Sequence, residues 1–334
     1  HKNAQQQYRM LPLHRSHQRL YWVMSNKTIR IGTRESELAV WQATTVKNLL
    51  QDRGYPAELV FIKSEGDINL TTPLYELGVQ GIFTKSLDIA LLNDKIDIAV
   101  HSMKDAPTQM AQGIVQVAVL PRASHKDIFV PKPGSPFIEL NDVTTKEPNT
   151  IGTSSIRRTA QWLHRYPADK LENLRGNVNT RLRKVAENDW AGAIFAAAGL
   201  ERIGLRPKNA IELDWMLPAP AQGAILIVCR TGDTDAYNAC ALLNDQPTQL
   251  CTAIERDFLR ALMGGCSVPI GGLATIHNNT VHFKGNIVSK DGTQLVEVVK
   301  TAPVDNCIDL GKTAAAELLA NGGQQILDTI KNEQ

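Results

Sequence analysis

At 334 residues, with 43% hydrophobic and 21% charged residues, the chain has the make-up of a globular protein too long for one core, so two or three domains are expected. A formal net charge of +2 argues against a dedicated nucleic-acid binder, though not against a local basic pocket for a small anion. No apolar run approaches the roughly 18 residues of a membrane span.

Residues 1–24 are rich in glutamine, histidine and arginine and hold no acidic residue. They read as an upstream extension (native, a transit segment or a cloning remnant) that should be disordered, with Met24 as the natural start. A regular pattern then begins. Residues 28–31 form a strand, 38–50 a helix with its apolar stripe at Leu38, Trp41, Thr45/Val46 and Leu49, and 58–63 a second strand. Residues 64–81 are polar and glycine-dotted, a mobile loop or lid. Ile82, Phe83, Leu87, Ala90 and Leu91 make the next helical stripe, and 97–100 a buried strand running into His101-Ser102-Met103-Lys104-Asp105. This β-α-β-α-β order predicts a parallel or mixed sheet wrapped by helices.

A second unit repeats the grammar, with strands at 127–130, 150–151, 171–174 and 193–197 and helices after Gly152 and Arg175. The stiff, proline-bearing link 217–223 leads into an apolar strand, 224–229, that should return to the first sheet. The last section has a helix over 249–263 with Leu250, Ile254, Phe258, Ala261 and Leu262 on one face. Short alternating strands follow near 273–276, 281–287 and 294–299, with turns at Asn278-Asn279 and Asp291-Gly292, and a final helix over 307–320 is closed by Gly322-Gly323. The predicted class is α/β: two α/β domains (25–122 with 223–241, and 126–218) and a smaller α+β domain (246–334) with a three-stranded antiparallel sheet.

The five cysteines show no Cys-x-x-Cys pair and no zinc spacing, so no metal site is expected. Their odd number suggests reduced thiols in a cytoplasmic setting. Cys229, Cys240, Cys251 and Cys307 sit in apolar or helical surroundings and read as core. Cys266 differs, because it follows Gly264-Gly265 and precedes Gly271-Gly272, where the backbone can bend and admit something bulky. By itself this turn reads more readily as a helix C-cap carrying a small apolar residue.

Three strand-to-helix junctions carry hydroxyls and arginines: Thr33/Arg34/Ser36, Thr153/Ser154/Ser155/Arg157/Arg158 and Arg175/Asn177/Thr180/Arg181. Such junctions line the crevice at the carboxyl ends of strands in open α/β sheets, and helix N-termini attract anions. An arginine in a first helical turn is disfavoured without a negative partner, and guanidinium forks suit carboxylates or phosphates. Any one junction is explained by N-capping with a solvated arginine, whereas all of them together call for a ligand with several anionic groups. Asp105, at the end of its strand, is placed to stabilise positive charge developing on such a ligand.

These motifs resemble the hydroxymethylbilane synthase (porphobilinogen deaminase) family. The resemblance is carried by Arg30-Ile31-Gly32-Thr33-Arg34, Ala99 to Asp105, Gly152 to Arg158, Leu174 to Arg181, Leu217-Pro218-Ala219-Pro220 and Gly264-Gly265-Cys266, in the family's order. It implies two domains like type II periplasmic binding proteins plus a third bearing the cofactor cysteine. It implies stepwise joining of four porphobilinogen molecules on one dipyrromethane primer per chain, held by a thioether to Cys266. Asp105 would be catalytic. Lys104, Thr153, Ser154, Ser155, Arg157, Arg158, Arg175 and Arg181 would hold the cofactor, and Arg34, Ser36, Phe83, Arg202 and Gln222 the substrate. The implied enzyme is a cytoplasmic monomer acting on a small molecule, with no nucleic acid or membrane partner. Glu76 and Gln80 depart from the family pattern, which often has lysines there. The competing reading is a non-catalytic solute-binding protein for a multi-carboxylate ligand.

Overall fold

The computed structural model describes residues 27–64, 83–135, 147–262 and 267–334. The extension 1–24, Glu76 and Gln80, most of the 132–148 connection and Cys266 lie outside the described residues. In chain order the first lobe begins with β1 (Ile29–Thr33), α1 (Glu37–Asp52), β2 (Ala57–Phe61), α2 (Lys85–Leu92), β3 (Ile98–Ser102), a 3₁₀ turn Met103–Asp105 and β4 (Ile114–Val119). The chain then crosses to the second lobe: β5 (Asp127–Pro131), β6 (Thr150–Gly152), α3 (Ile156–Arg165), β7 (Lys170–Glu172), α4 (Val178–Glu187), β8 (Gly192–Ala196), α5 (Ala197–Arg202) and β9 (Ile211–Glu212). It returns as β10 (Ile225–Arg230) and α6 (Thr234–Ala241). The third domain is α7 (Gln246–Ala261), β11 (Ile270–His277), β12 (Thr280–Val288), β13 (Leu295–Pro303), α8 (Leu310–Leu318) and α9 (Gln324–Asn332).

The first sheet has the order β2-β1-β3-β10-β4. β1 runs parallel to β2 and β3, whereas β10 is antiparallel to both of its neighbours. The return strand is thus in the first sheet, as its apolar run of Ile225 to Cys229 requires. The second sheet, β7-β6-β8-β5-β9, repeats the plan with β5 as the antiparallel strand. Both are mixed sheets with helices packed on them, as the β-α-β-α-β order called for. The third sheet, β11-β12-β13, is wholly antiparallel. Asn278 and Asn279 both have positive φ (50° and 57°), the backbone that a two-residue hairpin turn needs. No helix among the described residues is long and apolar enough to cross a membrane.

Some expectations shift. The buried face of α1 is Gln42, Ala43, Val46 and Leu50, and Trp41 is 39% exposed. The stripe read from the sequence had turned the helix too far, because the buried amide of Gln42 is satisfied by Ser102 (Nε2 to Oγ, 3.0 Å) and counts as core. The final helix does not end the chain at Gly322-Gly323. Gly322 takes φ 112°, the backbone kinks, and α9 follows with Ile326, Leu327 and Ile330 buried. β4, β9 and α5 were not foreseen. Cys229, Cys240, Cys251 and Cys307 are all buried thiols.

The third domain's core is α7 and α8 laid on its sheet, with Phe258 and Phe283 edge to face at 4.9 Å. Its hairpin turn docks on the second lobe, where His164 Nδ1 lies 2.7 Å from the Gly292 carbonyl oxygen. The two crossings between lobes press together at Gly223 (φ 90°), whose absent Cβ would stand 2.6 Å from the Ser124 carbonyl oxygen.

Candidate active site

A cleft of about 360 Å³ lies between the lobes and reaches the third domain. Three helix N-termini open onto it, those of α1, α3 and α4. The capping that produces them uses up several of the hydroxyls. Ser36 accepts from the Ala39 N–H at 3.4 Å, Ser155 from the Arg158 N–H at 3.3 Å, and Asn177 from the Thr180 N–H at 2.9 Å. Ser154 donates to the Leu174 carbonyl at 2.8 Å. Local bonds to the backbone, two of them helix caps, are therefore a sufficient account of the Ser36, Ser154 and Ser155 hydroxyls.

The arginines are different, because Arg157, Arg158 and Arg175 are buried and Arg34, Arg181 and Arg202 are half-buried. Arg34, Lys104, Arg157, Arg158, Arg175, Arg181 and Arg202 line the cleft, against Glu37 and Asp105 among the described carboxylates. Ser36, Phe83, Ser154 and Ser155 share the lining. Arg34 lies over the Phe83 ring at 4.2 Å. Arg181 Nε donates to the Gly176 carbonyl (2.8 Å) and Arg202 Nη2 to that of Gly223 (2.7 Å). Burial, then the neighbouring Arg158, pushes the Arg181 guanidinium down to about 10. The same pair of causes pushes the Lys104 ammonium down to about 8. Burial, then Arg34, takes His101 to about 4, a neutral imidazole in the cleft wall. Cations that depress one another's protonation favour an anionic ligand, since each carboxylate brought among them relieves both desolvation and repulsion.

Two of the expected site residues stand behind this wall. Thr153 is buried, its hydroxyl accepting from the Ser155 N–H at 3.2 Å. Gln222 is fully buried and works as a connector: Nε2 donates to the His125 carbonyl (2.8 Å) and Asp127 (3.1 Å), and Oε1 accepts from Lys104 (3.5 Å) and Arg157 (3.4 Å). The residue that sequence reasoning missed is Asp127. It is wholly buried and pairs with both Arg157 and Arg158, so part of the negative charge those arginines demanded is internal. A carboxylate opening an otherwise apolar strand was the available signal. Gln42, His101 and Ser102 also line the cleft without having been singled out.

Asp105 closes the turn after β3 and is half-buried in the cleft. Among the described residues no group hydrogen-bonds its carboxylate. Leu259, Val268 and Ile270, which flank the segment containing Cys266, line the same cleft from the third domain. The arrangement is one free carboxylate facing a cavity walled by cations. It can hold a ligand with several carboxylates and stabilise positive charge at one point on it.

Residues 29–238 match the family described as "Porphobilinogen deaminase, dipyromethane cofactor binding domain", and residues 249–320 match "Porphobilinogen deaminase, C-terminal domain". A porphobilinogen deaminase of Syntrophotalea carbinolica is 41% identical over 308 residues, covering 91% of this chain and 96% of that protein. The chloroplastic porphobilinogen deaminase of Oryza sativa subsp. japonica is 40% identical over 315 residues, covering 91% and 86%. Among solved structures, the methionine binding protein MetQ is similar with a TM-score of 0.41 at 14% identity, over 65% of this chain and 88% of that one.

Proposed function

This chain belongs to the porphobilinogen deaminase family, and from that membership we propose how its own residues divide the work. The enzyme is a transferase that joins four porphobilinogen molecules head to tail on a dipyrromethane cofactor, with loss of ammonia at each step, and frees hydroxymethylbilane by hydrolysis. The solute-binding alternative has only a resemblance of fold behind it.

The cleft suits the cofactor on chemical grounds. Each pyrrole unit carries an acetate and a propionate arm, and the lining has far more cations than carboxylates among the described residues. Lys104, Arg158, Arg175 and Arg181 hold the arms of the cofactor, and Ser154 and Ser155 line the cleft beside them at the start of α3. Cys266 anchors the cofactor through a thioether. When bound, the dipyrromethane supplies the free pyrrole carbon to which the first substrate is added.

Arg34, stacked on Phe83, and Arg202 hold the carboxylates of the incoming porphobilinogen. As the aminomethyl C–N bond breaks, the electron pair leaves with nitrogen as ammonia departs, and positive charge spreads over the pyrrole ring. The Asp105 carboxylate faces that charge in surroundings drier than water, where it acts more strongly. Gln222 and Thr153 support from behind: Gln222 ties Lys104 to Asp127, and Thr153 shapes the turn before α3. The observation that carries this division is the Asp105 carboxylate, to which no described residue hydrogen-bonds, in a cation-lined cleft. We read the enzyme as a cytoplasmic monomer with no nucleic-acid or membrane partner, in keeping with buried, unpaired thiols and a near-neutral net charge.

Intact-protein mass spectrometry tests the anchor. The purified chain should be heavier by two linked pyrrole units, and the extra mass should vanish in Cys266→Ser. Bare sequence mass in the parent, or undiminished mass in the variant, would sink it. Asp105→Asn should keep fold and cofactor yet lose about a hundredfold or more in turnover, the scale of one well-placed electrostatic group.

A further inference from the structure

The turn carrying Lys104 and Asp105 is gripped from behind by the third domain. Arg256, on α7, donates through Nη1 to the carbonyl oxygens of Met103 (3.0 Å) and Ala106 (3.1 Å), and through Nη2 to that of Pro107. One planar group thus ties down both ends of the Met103–Asp105 turn. Arg256 is only 8% exposed, and among the described residues its hydrogen bonds go to these carbonyls and to no carboxylate. Burial, then Arg260, pushes its guanidinium down to about 10. A buried cation without a counter-ion costs far more than an apolar side chain filling the same space. Its worth has to lie in what it holds. A guanidinium fork reaches several acceptors at fixed angles, which a lysine ammonium on a flexible stem does not.

We propose that Arg256 is a positioning residue for the reaction: it acts through the backbone of residues 103–107 to fix the Asp105 carboxylate in the cleft, and it ties that position to the domain whose chain runs on to Cys266. This rests on the reading of Asp105 as the charge-stabilising carboxylate. α7 makes a second contact of the same kind beside it. Glu255, fully buried, accepts from Arg122 (2.6 and 2.9 Å), the Ala221 N–H (2.7 Å) and the Ala274 N–H (2.9 Å), and so holds both interlobe crossings. Adjacent residues of one helix therefore set the catalytic turn and the crossings together.

The test uses the cofactor-bearing enzyme. Arg256→Lys keeps the charge and the apolar stem but loses the fork. It should purify with the full covalent mass and show KM for porphobilinogen within about threefold of the parent, with kcat down about tenfold or more, because loss of an interaction made only in the transition state falls on kcat. In an Asp105→Glu background the same substitution should add little, since the carboxylate it positions is already displaced. Added guanidinium ion should restore part of the kcat of Arg256→Ala and none of that of Asp105→Asn. A kcat for Arg256→Lys within about twofold of the parent, or equal losses in both backgrounds, overturns the proposal. So does failure of both Arg256 variants to fold, which would make the residue a stability element. Normal turnover in Asp105→Asn alone would instead remove the reading of Asp105, and this proposal with it.

Discussion

Arg158 donates to Asp127 through Nε at 2.9 Å and pairs with it through Nη2 at 2.8 Å, in a place from which water is excluded. Arg157 meets the other carboxylate oxygen at 2.8 Å. Burial works to raise the Asp127 carboxyl, yet Arg157 and Arg158 hold it well below the usual carboxylate range. A depressed carboxyl contributes stability that is present above its unfolded value, near 4, and drains as pH falls below it. Asp127→Asn leaves two buried guanidinium groups short of a counter-charge, a change on the order of 3–5 kcal/mol. The thermal midpoint should fall by several degrees, and acid sensitivity should flatten. A midpoint within about a degree of the parent would contradict the account.

Lys104 offers a titration within assay range. Its ammonium is pushed down to about 8 from 10.5, chiefly by burial and then by Arg158. Because the folded value lies below the unfolded one, the unfolded chain holds more protons between these two values. The penalty is thus full at neutral pH and is relieved as pH rises through the window. In a Cys266→Ser background, free of covalent cofactor, Lys104→Met should flatten the rise of thermal midpoint between about 8 and 10.5. Equal slopes for the two proteins would show that Lys104 does not titrate there.

The docking of the third domain on the second can be weighed with glycines. Gly292 has φ 77°, and a Cβ there would stand 2.5 Å from the His164 backbone nitrogen. Gly232 has φ 85° with nothing within 4 Å of its Cβ position. Alanine at either site carries the left-handed strain of roughly 1–2 kcal/mol. Only Gly292→Ala also pushes the hairpin off α3 and stretches the His164 hydrogen bond, so its midpoint should drop further than that of Gly232→Ala. Matching drops would mean the hairpin contact adds nothing.

What could be read before the fold was seen follows from what is local. The junctions at Thr33, Gly152 and Arg175 were legible because a strand's period, a glycine and a helix's period fall within a dozen residues. The hairpins at Asn278-Asn279 and Asp291-Gly292 announced themselves by residues that tolerate positive φ. Asp127 offered only the weak signal of a carboxylate at the head of an apolar strand, because its arginines lie 30 and 31 positions away. Arg256 was still more remote, 153 positions from Met103. α5 is too short, at six residues, to display a period, and α9 hides behind a glycine pair that ordinarily ends a helix. The arginines stand out in the sequence as uncomfortable, and for Arg157 and Arg158 some of the charge they call for comes from Asp127.

The place of β10 has a consequence for the order in which the molecule is made. Among the described residues β4 pairs with no strand of the first sheet except β10, which is synthesised only after the strands of the second sheet, residues 127–212. As the chain emerges from the ribosome, the later lobe has all its strands while the earlier one still lacks a central member and leaves a sheet edge open. The second lobe is therefore the first able to finish, and the first lobe closes around a strand that arrives from beyond it. Of the two lobes, the one that carries Asp105 is completed second.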